Sequence, residues 1–226
     1  MTQISAAQVK TLRDRTGAGM MDCKKALEEA EGNEEKAVEI IQKKGLAKVA
    51  KKAGAIAADG LIHAYIHAGS RVGVMVEVNC QTDFVARNEE FKVFVSEVAM
   101  HIASEKPEFV RAEEISEAAI AKQTEIFFGQ LDEEAKQTGK EKPRAALEKI
   151  VEGKLAKWKK DVVLLDQEFI MSEDKKTVGV ILDELSAKIG EKLSIRRFVR
   201  YELGEGIEKK VADLAADVAA TIAGTN

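Results

Sequence analysis

Apolar positions along this chain recur with two periods, one typical of helices and the other of strands. In the first fifty residues the spacing is three to four positions, which predicts three short helices. Ser5 is placed to cap the first helix, which ends before Gly17, and the second helix follows Met21. The third is expected to run from Glu34 to Gly45. Three such helices bury only a thin core, so apolar residues on their surface point to a partner.

Alternating apolar and polar residues predict three strands further along the chain. Two of them, Gly60–His67 and Arg71–Cys80, flank the turn Ala68–Ser70 and should form a hairpin. Every other residue from Val72 to Val78 is a valine, so one face of the second strand should be buried. The third strand, Leu193–Glu202, should turn five residues to one face: Leu193, Ile195, Arg197, Val199 and Tyr201.

Helical spacing fills the rest of the chain and sets the fold class. It predicts a helix capped by Asn88 and stopped by Pro107, and four more at Ser116–Gly139, Pro143–Lys160, Val178–Ile189 and Ile207–Ile222. The expected fold is α+β: an N-terminal three-helix bundle, a core of a small antiparallel sheet covered by helices, and a C-terminal helix. We assign residues 1–55 to the bundle and a basic linker, 56–202 to the core and 203–226 to a C-terminal helical module.

Composition narrows the class of protein. Charged residues make up 33% of the chain and aromatic residues 5%, which is typical of a folded, helix-rich protein. The net charge of -4 argues against a general nucleic-acid binder; the basic run Lys43–Lys52 fits a linker, with RNA contact as the alternative. Two distant cysteines suit a reducing compartment, and no apolar run is long enough for a membrane span. We therefore expect a cytoplasmic protein with no membrane or direct nucleic-acid partner.

Residues for catalysis or metal binding do not form a recognisable pattern. His63 and His67 share one face of a strand but lie about 13 Å apart, too far to bind one metal ion. His101 follows Met100 and sits off the apolar stripe of its helix. The turn after Thr16 lacks the lysine of a phosphate-binding loop. We predict no catalytic residue, no resident metal and no cofactor, and hence a binding protein.

Two short segments are candidates for the binding surface. Asp83 and Phe84 follow Gln81 and Thr82, where the alternation of the second strand stops, and a carboxylate beside an aromatic ring on such a corner can be pushed into a partner. Alternatively, Asp83 caps a helix and Phe84 folds back into the core. Met20 and Met21 follow a glycine-containing turn, and they either form an adaptable docking surface or complete the small core.

Several runs of the sequence resemble the bacterial elongation factor Ts family, in the same order along the chain from Ile4 to Ala220. The resemblance lies in five segments: Arg15–Leu27 (RTGAGMMDCKKAL), Ala53–Gly60, Glu77–Asn88 (EVNCQTDFVARN), Ala99–Phe109 and Gly204–Val211. It implies a guanine nucleotide exchange factor that binds elongation factor Tu carrying GDP, loosens the nucleotide and its Mg²⁺, and leaves when GTP enters. Such a factor performs no covalent chemistry.

The resemblance also implies roles for individual residues. The segment that intrudes beside the Mg²⁺ site of elongation factor Tu corresponds to Thr82, Asp83, Phe84 and Val85. The N-terminal docking surface corresponds to Leu12, Arg13, Thr16, Gly17, Gly19, Met20 and Met21. His101 corresponds to a histidine of the contact surface in the core.

Departures from the family pattern lead to a further expectation. Longer members carry a second core subdomain and an inserted helical hairpin, and we expect neither here. Asp83 and His101 are then about 27 Å apart along nearly one helix, too far to face one partner together. This predicts a homodimer that clasps each elongation factor Tu, with residues 56–202 as the dimerisation domain. Glu168 replaces the usual proline of a Gln-Pro-Phe motif.

Two other functions fit parts of the sequence. A helical adaptor could carry the N-terminal bundle as a UBA-like (ubiquitin-receptor-like) module on an unrelated core, although this leaves the Asp83–Phe84 segment unexplained. An RNA-binding protein could use the Lys43–Lys52 run, and its affinity would fall steeply with salt.

Overall fold

Three helices open the chain in the computed structural model, which describes residues 4–51, 54, 56–139 and 143–207. They are α1 (Ala6–Thr16), α2 (Met20–Glu29) and α3 (Glu34–Lys51). Ser5 caps α1 as predicted: its hydroxyl accepts from the Gln8 backbone N–H, and the Gln8 side chain accepts from the Ser5 N–H. Gly17 ends α1 in the left-handed conformation, with φ of 68°. The three helices enclose a small core of their own.

A three-stranded antiparallel sheet forms the centre of the second core. Its strands are β1 (Asp59–Ile66), β2 (Val72–Cys80) and β3 (Ser194–Glu202), in the order β1-β2-β3. The predicted hairpin of β1 and β2 is present, with Asp59 opposite Cys80 and Ile66 opposite Gly73. The alternate valines of β2 face inward, and those from Val74 to Val78 are buried.

Five α-helices, with short 3₁₀ helices at Ala112–Glu114 and Leu164–Asp166, complete the described fold and make it α+β, as predicted. They are α4 (Asp83–Ala86), α5 (Glu89–Glu105), α6 (Glu117–Thr138), α7 (Arg144–Val162) and α8 (Val178–Ile189). Asn88 caps α5 by accepting from the N–H groups of Glu90 and Phe91. The inward residues of α5 pack on the sheet together with α8, so the helices cover one sheet face.

The prediction that five residues of β3 share one face is wrong beyond Ile195. Glu77 pairs with Arg197 but Val78 pairs with Ile195, so Arg196 is an extra residue in the ladder. A bulge of this kind reverses the alternation of the strand. Phe198, opposite Val76, therefore packs on the core. Arg197, Val199 and Tyr201 lie on the opposite sheet face. Their partners in β2 are Glu77, Met75 and Gly73, in that order.

Helices α6 and α7 form a hairpin inserted into the core, so the expectation that the chain lacks one is wrong. The chain leaves the core at Phe109 and returns beside it: the Leu164 N–H donates to the Phe109 carbonyl at 2.9 Å, and the Glu108 N–H donates to the Val162 carbonyl at 2.9 Å. Within the hairpin, the Lys154 ammonium lies 5.5 Å from the centre of the Phe127 ring. Hydrogen bonds thus join the chain just before the hairpin to the chain just after it, without a contribution from α6 or from the rest of α7.

Helix α3 also differs from the prediction, because it continues to Lys51 instead of ending at Gly45. Gly45 packs against α8, where a Cβ atom on this glycine would lie 2.8 Å from the Ala187 Cβ. The glycine therefore serves close helix contact rather than helix termination. The first part of the predicted basic linker, through Lys51, is helical, and Lys43 pairs with Glu39 at 3.8 Å.

The predicted C-terminal helix, Ile207–Ile222, lies outside the described residues apart from Ile207. The division into residues 1–55, 56–202 and 203–226 stays a prediction. Among the helices that the structure describes, none combines the length and the apolar character that a membrane crossing requires.

Candidate partner-binding site

The corner after β2 presents one large apolar side chain to solvent. Thr82 is the N-cap of α4, a single helical turn, and the side chain of Phe84 in that turn is 78% exposed. Val85 and Ala86 are buried in the core beneath it. The alternative in which Phe84 folds back is therefore wrong. Of the four residues predicted here, Val85 holds the turn from inside, and Asp83 with Phe84 forms its outer surface, which we call the tip.

The charge at the tip is paired. The Asp83 Oδ2 lies 2.9 Å from the Arg87 Nη2, one helical turn further on, and both side chains are more than half exposed. Sequence reasoning missed Arg87, although the spacing of four residues between opposite charges indicates such a pair. A partner that meets the tip therefore meets a carboxylate and a guanidinium beside an aromatic ring.

Polar contacts fix the start of the corner. The Thr82 hydroxyl does not cap α4 but donates to the Glu191 Oε1 at 2.8 Å. The Cys80 thiol donates to the Thr82 carbonyl at 3.1 Å. Burial raises the pKa of the Cys80 thiol, with the nearby Glu191 charge as the next cause. Cys80 therefore acts as a buried support of the corner.

The second predicted surface lies at the turn between α1 and α2. Met20 and Met21 are 52% and 65% exposed, so they do not complete the core of the bundle. Leu12, in contrast, is buried, which corrects the expectation that its side chain contacts a partner. The Thr16 hydroxyl donates to the Leu12 carbonyl at 2.7 Å and accepts from the Ala18 N–H at 3.3 Å, which fixes the turn.

The remaining predicted residues of this surface frame the turn. Arg13 is exposed on α1, Gly17 ends that helix, and Gly19 is the N-cap of α2. Thr16, Gly17 and Gly19 also line a groove of about 850 Å³ between the bundle and α8. The tip does not line this groove, so the chain presents two separate candidate surfaces.

His101 is buried in the core, contrary to the prediction that it lies off the apolar stripe. Its Nε2 donates to the Gln167 Oε1 at 3.0 Å, and its Nδ1 accepts from the Ile170 N–H at 3.4 Å. Its ring centre is 5.6 Å from that of Phe169. The segment from Gln167 thus covers a side of α5 that the sheet leaves open, which broadens the buried arc of the helix.

These contacts define the chemical state of His101. Burial lowers the pKa of His101, opposed by its hydrogen bond to Gln167 and by the charge of Glu105. One ring nitrogen donates and the other accepts, as in a neutral imidazole. Because the His101 ring is buried and both of its nitrogens are bonded within the chain, the side chain is not available at the surface, which corrects the expectation of direct partner contact.

The sheet face opposite the helices is a third exposed surface, which we call the outer sheet face. Five large apolar residues on it are 41% to 71% exposed: Ile62, Ile66, Met75, Val199 and Tyr201. At one end, Glu77 accepts from Arg196 at 2.8 Å and from Arg197 at 2.7 Å. These two bonds, first that from Arg196, lower the pKa of Glu77 to about 2. The face is therefore apolar over most of its area and charged at one end.

The side chains that most often bind metal ions are dispersed in the described part of the chain, and its cysteines are buried. Within residues 4–51, 56–139 and 143–207, no three His, Cys, Asp or Glu side chains come together as a metal site. Cys23 and Cys80 are free thiols and both are buried. The tip carries the most exposed aromatic side chain that the structure describes.

Comparison with known proteins gives the class of the chain. The family model for elongation factor Ts matches residues 3–205. Elongation factor Ts of Desulforamulus reducens is 55% identical over 222 residues, which cover 98% of this chain and 99% of the relative. Those of Carboxydothermus hydrogenoformans and Myxococcus xanthus are 55% and 54% identical, over 97% and 98% of this chain and 98% and 99% of the relatives. These matches make the chain a translation elongation factor. It belongs to the elongation factor Ts family.

Proposed function

We propose that this chain binds elongation factor Tu carrying GDP and promotes GDP release by displacing Mg²⁺, so that GTP can enter. It acts in the cytoplasm, without covalent chemistry, a cofactor or nucleic-acid contact. Membership of the family supports this function. The observation that carries the mechanism is the exposed Phe84 ring on a turn whose next two residues are buried.

The aromatic ring supplies the free energy for entering the partner. A Phe side chain of this kind buries about 150–250 Å² of surface in an interface. Full burial is worth about 1.5–3 kcal/mol. Because the turn beneath the ring is already packed, little conformational entropy is lost when Phe84 inserts. Phe84 is therefore the wedge of the proposed interface.

The charges beside the ring act on the ion. A carboxylate brought close to a Mg²⁺ site changes the balance between the ion, its waters and the phosphate groups. Asp83 carries that charge, and Arg87 offsets part of it in the free chain. Once Mg²⁺ is weakened, GDP loses part of its charge compensation and dissociates faster. Coupling between the sites is reciprocal, so GDP weakens binding of this chain by the same factor.

The exposed methionines support a second contact. Met20 and Met21 lie at the N-terminus of α2, and flexible thioether side chains adapt to irregular apolar surfaces. Arg13, Thr16, Gly17 and Gly19 precede them at the end of α1 and in the following turn, and complete the proposed docking surface on the nucleotide-binding domain of elongation factor Tu. Docking there holds the chain in place while the tip acts on the ion.

We also propose that the chain is a homodimer through its outer sheet face. The buried state of His101 weakens the expectation that was based on its distance from Asp83, and the apolar outer sheet face gives better support. Two copies related by a two-fold axis would bury this face as a sheet sandwich, with layers about 10 Å apart. At the charged end of the face, Glu77 neutralises one of the two guanidinium charges of Arg196 and Arg197, which leaves one positive charge there.

Release of fluorescent GDP from elongation factor Tu tests the proposed function. The chain should accelerate release, and Phe84→Ala should slow the stimulated release by about ten- to a hundredfold. Ile126→Ala, which removes another exposed apolar side chain on α6, is the matched control and should leave the rate unchanged. If Phe84→Ala is as active as the native chain, the assignment of the wedge is wrong.

A further inference from the structure

The start of the corner is held by the carboxylate of Glu191, 110 positions after Gln81. Its Oε2 accepts from the backbone N–H groups of Gln81 and Thr82, both at 3.1 Å, and its Oε1 accepts from the Thr82 hydroxyl. These two N–H groups lie between the last pair of β2 and the first turn of α4. Buried or half-buried N–H groups of this kind need a partner. One carboxylate therefore sets the path by which the chain enters the turn that carries the tip.

The position of Glu191 is fixed by the end of α8 and by hydrogen bonds of the loop that follows it. It follows Gly190, which ends α8 in the left-handed conformation with φ of 81°. The Leu193 N–H donates to the hydroxyl of the buried Ser186 at 3.3 Å. The Lys192 N–H donates back to the Gln81 side chain at 3.3 Å, which adds a fourth bond between the two loops. The position of the carboxylate is thus determined by the end of α8.

The tip therefore has one anchor on each side. Before it, Gln81 and Thr82 are bound to Glu191; after it, Val85 is buried in the core. The Phe84 ring between them is mostly in solvent, so its direction depends on these anchors. A site held by supporting hydrogen bonds keeps its geometry before the partner arrives.

We propose that Glu191 is a positioning residue for nucleotide exchange: it touches neither partner nor nucleotide and fixes the direction in which Asp83 and Phe84 point. This inference rests on the proposed function. Without Glu191 the tip has to be ordered at each encounter, which lowers the rate of exchange. The role requires acceptor atoms, not negative charge, so glutamine should replace glutamate. Its Oε1 accepts from the two N–H groups and its Nε2 donates to the Thr82 oxygen.

The first test is made on the full chain without its partner. Amide hydrogen exchange, followed by NMR, should accelerate at least tenfold at Gln81 and Thr82 in Glu191→Ala. In Glu191→Gln it should remain close to the native rate. Unchanged protection of both amides in Glu191→Ala would overturn the inference, whatever the exchange activity is.

The second test measures GDP release from elongation factor Tu at a saturating concentration of this chain. Glu191→Ala should slow release by about tenfold, and Glu191→Gln should restore most of it. Glu184→Gln is the control, since it removes a carboxylate on α8 that pairs with Lys176 and not with the corner. In a Phe84→Ala background, Glu191→Ala should have a much smaller effect than in the native chain, because only Asp83 is then left for Glu191 to position.

The outcomes separate the inference from the proposed function. If Phe84→Ala slows release and Glu191→Ala does not, the inference fails and the wedge stands. If Glu191→Gln is as slow as Glu191→Ala, a charge effect replaces the positioning role. If the losses from Glu191→Ala and Phe84→Ala add, Glu191 does not act through the tip. If Phe84→Ala is fully active, the proposed function fails and takes the inference with it.

Discussion

At the scale of single residues, Arg87 determines how much of the Asp83 charge a partner meets. Arg87→Met removes the guanidinium, so the carboxylate should disturb Mg²⁺ more and stimulated GDP release should become about 1.4- to fivefold faster. An exposed pair is worth only about 0.2–1 kcal/mol, which sets this range and predicts little change in thermal stability. Arg87→Lys, which keeps the charge, should behave as the native chain. Slower release from Arg87→Met would show that Arg87 itself contributes to binding.

The buried His101 gives a prediction for stability against pH. Burial lowers the pKa of His101 below the ordinary value of 6.5 that it has in the unfolded chain. At pH values between the lowered pKa and the ordinary one, the unfolded chain therefore binds more protons than the folded chain. Its contribution is therefore present above about pH 6.5 and is lost as the pH falls through this range. Urea unfolding of His101→Gln between pH 8 and 5.5 should show a flatter dependence than the native chain, and His63→Gln is the control. Equal slopes for His101→Gln and the native chain would contradict this assignment.

The residues of the site divide into those that local sequence reveals and those that it does not. Phe84 and the methionines follow strand ends or turns, where exposure is common, and the sequence singled them out. His101 was misplaced because the segment from Gln167 that covers it comes from elsewhere in the chain. Leu12 was assigned a partner contact only through the family resemblance, although it lies with Val9 in the core of the bundle. The Glu191 contact was missed because no local signal links residues 110 positions apart.

At the scale of elements, the contact of α3 with α8 depends on a glycine. Gly45→Ala would place a Cβ 2.8 Å from that of Ala187, so overpacking should exceed the gain in helix propensity and destabilise the fold by about 1 kcal/mol. Gly153→Ala, in a helix position with open space around it, should stabilise by about 0.5–1 kcal/mol. The measurement is thermal unfolding of both variants.

A compensating exchange tests the same contact. In the double variant Gly45→Ala, Ala187→Gly, the methyl group is moved from one helix to the other and the spacing of α3 and α8 is kept. Most of the stability lost in Gly45→Ala should return, apart from the cost of about 1 kcal/mol for glycine within α8. If Gly45→Ala is as stabilising as Gly153→Ala, the two helices are not in close contact at this point.

Element boundaries followed from the sequence wherever a local signal set them. The caps Asn88 and Ser116 and the glycine Gly139 fixed the ends of α5 and α6 as predicted. Prediction failed where tertiary contact overrides the local signal. Gly45 continues a helix because Ala187 lies against it, and the extra Arg196 in β3 reverses an otherwise regular alternation. Periodicity alone does not reveal a single inserted residue.

At the scale of the whole molecule, the outer sheet face should decide the oligomeric state. Val199→Lys places a charge at the middle of this face, opposite Met75, and should convert a dimer to a monomer in sedimentation equilibrium at micromolar concentration. Ile126→Lys makes the same chemical change on α6 and should leave the dimer intact. Exchange activity should fall with the dimer. A native chain that is monomeric and fully active at micromolar concentration would dispose of the dimer proposal.

The dependence of GDP release on Mg²⁺ shows whether the tip acts through the ion of the partner. Release from elongation factor Tu should be measured with the native chain and with Phe84→Ala, in millimolar Mg²⁺ and after chelation. In millimolar Mg²⁺ the two release rates should differ by about ten- to a hundredfold. After chelation that difference should nearly vanish, because the step that the tip promotes is already complete. An equal difference with and without Mg²⁺ would contradict an action of the tip through the ion, since the ring would then act on the nucleotide directly.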